Sequence, residues 1–121
     1  MDDLASTFNI LKKSFPGYED RPQQIEMAGE VFACLRDKKR LIVEAGTGVG
    51  KSFAYLIPAI LSEKKTIVST TTIALQDQLA NKDLVFLQKA LSKVFLCNPQ
   101  GKKQLSLSKA GERVCSTGEV L

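Results

Sequence analysis

The 121-residue chain has no long hydrophobic run. Its longest, FAYLIPAIL at residues 53–61, is nine residues with a proline inside it, whereas a helix that crosses a bilayer needs about 20. The N-terminus, MDDLAST, begins acidic and carries no apolar stretch of the kind that opens a secretory leader. No membrane role is expected, and a cytoplasmic location is the default. Cysteine is scarce. Cys34, Cys97 and Cys115 are odd in number, widely spaced and without any Cys-x-x-Cys pair, which argues against both a disulfide framework and a zinc site. Cys34, within VFACL on a helix-like apolar stripe, reads as a small core residue.

What is present suffices for one compact domain: 44% apolar residues and 25% charged ones. The net charge of +4 is not spread evenly. Residues 90–121 hold 5 of the 17 basic residues and only 2 of the 13 acidic ones, so the basic character belongs mostly to the tail. A solvated, lysine-bearing segment is the simplest reading of it, and pI alone does not define a nucleic-acid surface.

Residues 3–14 place apolar side chains at helical spacing and stop before the turn-rich FPGYED. RPQQIEMAGEVFACLRDKK reads as a second helix, with Pro22 tolerated in its first turn. LIVEA, residues 41–45, is a short continuous apolar run suited to a buried parallel strand. A glycine loop follows, then the helix KSFAYLIPAILSE, in which Pro58 should kink or loosen the middle. TIVST at 66–70 reads as a second buried strand, and TTIALQDQLANKDLVFLQKAL as one long or two short amphipathic helices. This alternation predicts an α/β fold with a parallel sheet over residues 1–94. Residues 95–121 show neither period and are expected to be an irregular tail.

Residues 45–52, A-G-T-G-V-G-K-S, match a phosphate-binding loop with Ala45 in place of the first glycine. Backbone N–H groups of Gly46, Thr47, Gly48, Val49, Gly50 and Lys51 can turn inward around a β-phosphate. The helix that begins near Lys51 aims its positive end at the same anion. Lys51 can reach the β- and γ-phosphates, and the Ser52 hydroxyl can ligate Mg²⁺, so both are the candidate catalytic residues. Glu44, just before the loop, reads either as a catalytic carboxylate or as a structural strand-end residue.

Two further stretches bear on the class. In YEDRPQQIEMA, residues 18–28, Gln24 beside the loop can donate to adenine N7 and accept from N6, which would select ATP. Alternatively, RPQQ is only a helix N-terminus. In VSTTTIALQDQL, residues 68–79, hydroxyls and helix-start amides can grip a phosphodiester backbone, or the threonines can simply cap a helix.

Taken in this order, RPQQIEM, EAGTGVGKS and VSTTTIALQDQL resemble the Q motif, motif I and motif Ia of DinG-type helicases, in the XPD-like branch of superfamily 2. The resemblance covers roughly residues 15–91. It implies a RecA-like P-loop NTPase fold, here a truncated first motor domain, and an ATP-dependent DNA helicase using Mg²⁺ and tracking 5′ to 3′ on single strands, forks or R-loops. By the same likeness Arg21 accompanies Gln24 at the nucleotide, and Thr70, Thr71 and Gln78 touch DNA. Val49 departs from the family's usual threonine but keeps its backbone N–H. Most members carry a four-cysteine iron–sulfur cluster, which the cysteines here cannot supply.

Hydrolysis needs a carboxylate on an apolar strand, and no run of four apolar residues followed by Asp-Glu occurs in the 121 residues. The second motor domain is also absent. The chain is therefore expected to bind a nucleotide without turning it over. The tail suggests a reason. In the family the corresponding segment reads like GRSNYLCLRR. Residues 101–109, GKKQLSLSK, can be back-translated as GGN AAG AAG CAA TTA TCT TTG TCT AAG, and reading one nucleotide later yields RSNYLCL. This is compatible with a shift of reading frame between about residue 92 and residue 101. Two other readings stand beside the helicase fragment: a non-catalytic nucleotide-binding remnant, and a small P-loop kinase. The RPQQ helix ahead of the loop disfavours the kinase.

Overall fold

The computed structural model describes the backbone of residues 2–91, 95–97 and 104–108, and the side chains of residues 3–91. These fall into two units, one formed by residues up to 62 and the other from residue 63 onward.

The first unit is helical. Helix α1 (Asp2–Ser14) buries Leu4, Thr7, Phe8 and Leu11, the i, i+3, i+4, i+7 set that puts side chains on one face. The Thr7 hydroxyl is satisfied within the helix by the Asp3 carbonyl at 2.7 Å. Helix α2 (Pro22–Asp37) starts with Pro22 in its first turn, where a missing N–H costs nothing. It ends on Lys38 in the left-handed conformation. Helix α3 (Lys51–Leu61) is apolar nearly all round. Ala54, Leu56, Ile57, Pro58 and Ala59 are buried, and both α1 and α2 pack against it. Each fully buried leucine or isoleucine contributes roughly 1.5–3 kcal/mol. Pro58 does not end the helix, which runs on to Leu61 although Pro58 cannot donate to the carbonyl one turn back.

The second unit holds β1 (Thr66–Ser69), α4 (Ile73–Gln78), a single π-helical turn (Leu79–Asp83) and α5 (Leu84–Leu91). The expected amphipathic stretch is thus two short helices joined by a wider turn. Leu79, Ala80, Leu84 and Leu87 form its buried face. Strands β2 (Phe95–Cys97) and β3 (Gln104–Ser108) complete a sheet of order β1-β3-β2.

Four expectations are corrected here. The sheet is antiparallel, with Thr66 opposite Leu107 and Val68 opposite Leu105 in one ladder, and Phe95 opposite Ser108 in the other. A parallel neighbour needs a crossover connection, whereas β2 and β3 are joined through residues 98–103, a span short enough for an antiparallel return. LIVEA forms no strand, and Ile42 is 98% exposed. A continuously apolar strand is stable only between paired neighbours, and none of the described residues pairs with it. β1 is a strand but not a buried one, since Ile67 is 56% exposed. Strands also occupy 95–97 and 104–108, where the sequence pattern indicates none. The remaining tail residues lie outside those described, as does the proposed change of frame.

Candidate nucleotide site

Residues 45–50 pass through a turn and deliver the chain into α3. Two glycines are required there by conformation, Gly48 at φ +82° and Gly50 at φ +78°. Gly50 is the N-cap of α3, and its carbonyl accepts the Ala54 N–H at 3.3 Å. No side chain caps this helix start, so first-turn amides and the positive end of the helix dipole face the loop. Gly46, by contrast, has ordinary backbone angles and open space around it.

Lys51 is exposed, and its ammonium donates to two carbonyls of its own loop, Ala45 at 3.0 Å and Gly46 at 2.8 Å. The cation therefore sits across the curve of residues 45–51, where an anionic group would exchange neutral carbonyl acceptors for charged oxygens. Ser52 is half-buried one residue further on. Glu44 is exposed in the unpaired segment and belongs to no strand end.

The strongest link between distant parts of the sequence runs through Gln24. Although polar, it is only 2% exposed. Its Nε2 donates to the Gly50 carbonyl at 2.9 Å, and its Oε1 accepts from the Tyr18 hydroxyl at 2.5 Å. A Cβ on Gly50 would lie 2.1 Å from that Nε2. Arg21 also approaches, with Nη1 at 3.6 Å from the same position. Its other guanidinium nitrogen pairs with Glu19 at 3.4 Å. Arg21, Gln24 and the end of the glycine loop thus lie together. Tyr18 is the member that sequence reasoning passes over. The available signal was a phenol in the turn just ahead of the glutamine, held there by its N–H to the Phe15 carbonyl at 3.0 Å. Burial raises the Tyr18 pKa above its ordinary value, the Asp20 charge adds to this and Arg21 opposes it, so the hydroxyl stays a donor. An exposed ion pair between Lys12 and Asp20 ties the same turn to α1.

Thr70, Thr71 and Gln78 lie in the second unit. The Thr70 hydroxyl donates to the Thr72 carbonyl at 3.0 Å, and Thr72 caps α4 by accepting the Leu75 N–H at 3.2 Å. Part of the threonine cluster is therefore capping, while Thr71 and Gln78 are exposed.

Among the described residues no group of His, Cys, Asp or Glu could hold a metal ion, and no helix is long and apolar enough to cross a membrane.

A family model for DEAD/DEAH box helicases matches residues 25–118. The chain is 45% identical over 94 residues to the ATP-dependent DNA helicase YoaA of Haemophilus influenzae, covering 75% of this chain and 15% of that protein. It is 48% identical over 90 residues to Escherichia coli YoaA, covering 74% and 14%. Against Escherichia coli DinG, also an ATP-dependent DNA helicase, the identity is 39% over 94 residues, covering 73% and 13%. The chain thus spans no more than 15% of the length of these curated relatives.

Proposed function

Because the chain belongs to the DEAD/DEAH box helicase family, whose fold is RecA-like, we propose that it is the ATP-binding N-terminal segment of an ATP-dependent DNA helicase. The observation that carries this is the bond from Gln24 to the Gly50 carbonyl. It joins the side chain suited to reading a base to the loop suited to holding phosphates, 26 residues apart in sequence.

The donor set fits a nucleotide triphosphate. Gly46, Thr47, Gly48, Val49 and Gly50 offer loop amides, and Lys51 brings a cation already turned into the loop. Ser52 supplies a hydroxyl for Mg²⁺, and Arg21 and Gln24 stand at the base end. Bound Mg²⁺ would neutralise phosphate charge. Single-stranded, forked or R-loop DNA is the proposed partner, met by Thr70, Thr71 and Gln78. The proposed location is cytoplasmic. A four-thiolate iron–sulfur cluster needs more cysteines than the three present, so a cluster of that kind would belong to a longer protein.

One observation favours a second description of this polypeptide, a nucleotide-binding remnant without turnover: no apolar run ending in Asp-Glu occurs in it. The proposal that residues beyond about 92 are translated out of frame is tested by sequencing the gene through codons 90–121 and beyond. A one-base change restoring RSNYLC supports it, and a confirmed frame overturns it.

Function is tested with fluorescent ATP and Mg²⁺, followed by phosphate release with and without single-stranded DNA. The expected result is binding that Lys51→Ala weakens at least about tenfold, with no DNA-stimulated release from this chain. Binding that is indifferent to Lys51→Ala, or phosphoryl transfer to a small acceptor, would overturn the reading.

A further inference from the structure

The family-model match begins one residue after Gln24 and leaves the turn ahead of it outside. A glutamine amide has two ends of nearly equal size and opposite hydrogen-bonding character. Here each end is held by a partner of fixed kind. The Gly50 carbonyl can only accept, so it draws the Nε2 end, at 2.9 Å. The Tyr18 hydroxyl, protonated at neutral pH like any phenol, donates to the Oε1 end. Gln24 is nearly sealed from water, so neither bond is exchanged freely with solvent, and losing either leaves a buried polar atom unmatched.

We propose that Tyr18 is a positioning residue for nucleotide specificity, holding the Gln24 amide in the one orientation that matches an adenine edge. The proposal rests on the reading of Gln24 as the base-reading residue. After the two observed bonds, the amide retains one N–H on Nε2 and one lone pair on Oε1. That donor–acceptor pair matches adenine, which presents an acceptor at N7 and an amino donor at N6. Guanine presents acceptors at both N7 and O6, and its O6 would face the Oε1 lone pair. An amide fixed at both ends therefore discriminates between the bases. One fixed only at Gly50 is free to pivot about its last side-chain torsion, which is broad. With Gln24 only 2% exposed, a base can reach the amide only if the side chains around it part, and the Tyr18 bond is the contact that would then hold the oxygen end.

The full 121-residue chain is titrated with mant-ATP, mant-GTP and, by competition, inorganic tripolyphosphate, all with Mg²⁺. Wild type, Tyr18→Phe, Gln24→Ala and the double variant are compared. Tyr18→Phe is expected to weaken ATP about 5-fold, the scale of one neutral hydrogen bond. It should narrow the ATP-over-GTP preference by the same factor and leave tripolyphosphate binding alone. In the Gln24→Ala background it should have no effect on ATP. If Gln24→Ala narrows the preference but Tyr18→Phe leaves ATP unchanged or tighter, the role given to Tyr18 is wrong while Gln24 still reads the base. A preference untouched by Gln24→Ala removes the base-reading role itself. Loss of tripolyphosphate binding in Tyr18→Phe would make Tyr18 a structural residue only, which also overturns the proposal.

Discussion

At Gly50 the backbone conformation and the space around it make the same demand. Its φ of +78° excludes most L side chains, and an added Cβ would strike the amide nitrogen of Gln24. Gly48 has a similar φ, +82°, but nothing within 4 Å of where a Cβ would stand. Alanine at either position costs about 1–2 kcal/mol of backbone strain. Gly50→Ala must also expel Gln24 from its bond to the loop. Denaturant unfolding should therefore show Gly50→Ala to be the more destabilising, and only that variant should lose the ATP-over-GTP preference. Equal losses would mean that the Gln24–Gly50 contact carries no weight. Tyr18 provides a second check. A tyrosine whose folded pKa is raised binds its proton more tightly folded than unfolded, so its contribution is fully present below the ordinary value of 10.0 and fades as pH climbs through the folded value. The stability gap between wild type and Tyr18→Phe should stay level from about pH 7 to about pH 9 and shrink above about pH 10. A gap that widens at high pH contradicts the burial of that hydroxyl.

At the scale of elements, what was legible in the sequence followed from local physics. Helices α1, α2 and α3 begin and end within a few residues of the spacing-derived limits because their periodicity, Pro22 and the glycine loop act within one or two turns. The glycine turn ahead of α3 was legible for the same reason, since Gly48 and Gly50 both take the left-handed conformation there. The strand expected at LIVEA was not recoverable, because a buried strand draws its stability from partners on either side and not from its own residues. The pairing of β1 with β3 was equally hidden, since nothing in TIVS specifies which later segment lies beside it. In the candidate site, the nearness of Gln24 to the glycine loop follows from its place at a helix start ahead of that loop. Arg21 was legible only through the family resemblance, and Tyr18 joins them only through the fold of the turn. The threonine run had two readings, and the geometry gives one of them to Thr72. Thr72→Ala should cost about 1 kcal/mol by removing the cap that the Leu75 N–H now uses. Circular dichroism and denaturant melts would check it, and an unchanged midpoint would show that α4 does not depend on its cap.

For the whole molecule, the apolar surface is the dominant physical fact. Leu41, Ile42, Val43, Ile67, Ile73 and Leu75 are all exposed. A groove of about 340 Å³ in the first unit is lined by Met27, Val31, Cys34 and Leu35 of α2 together with Lys39, Leu41, Val43 and Tyr55. Uncovered apolar surface favours association. The isolated chain should be poorly soluble, bind a hydrophobic dye and unfold over a broad range, and a sharp cooperative melt of a purified monomer would contradict this. The central claim, that the turn before α2 and the loop before α3 form one nucleotide site, is tested most directly by amide hydrogen exchange with and without ATP and Mg²⁺. Protection should rise together in residues 46–54 and in the first turns of α2, and Lys51→Ala should abolish both changes. Protection confined to one of the two segments, or appearing in neither, would contradict it.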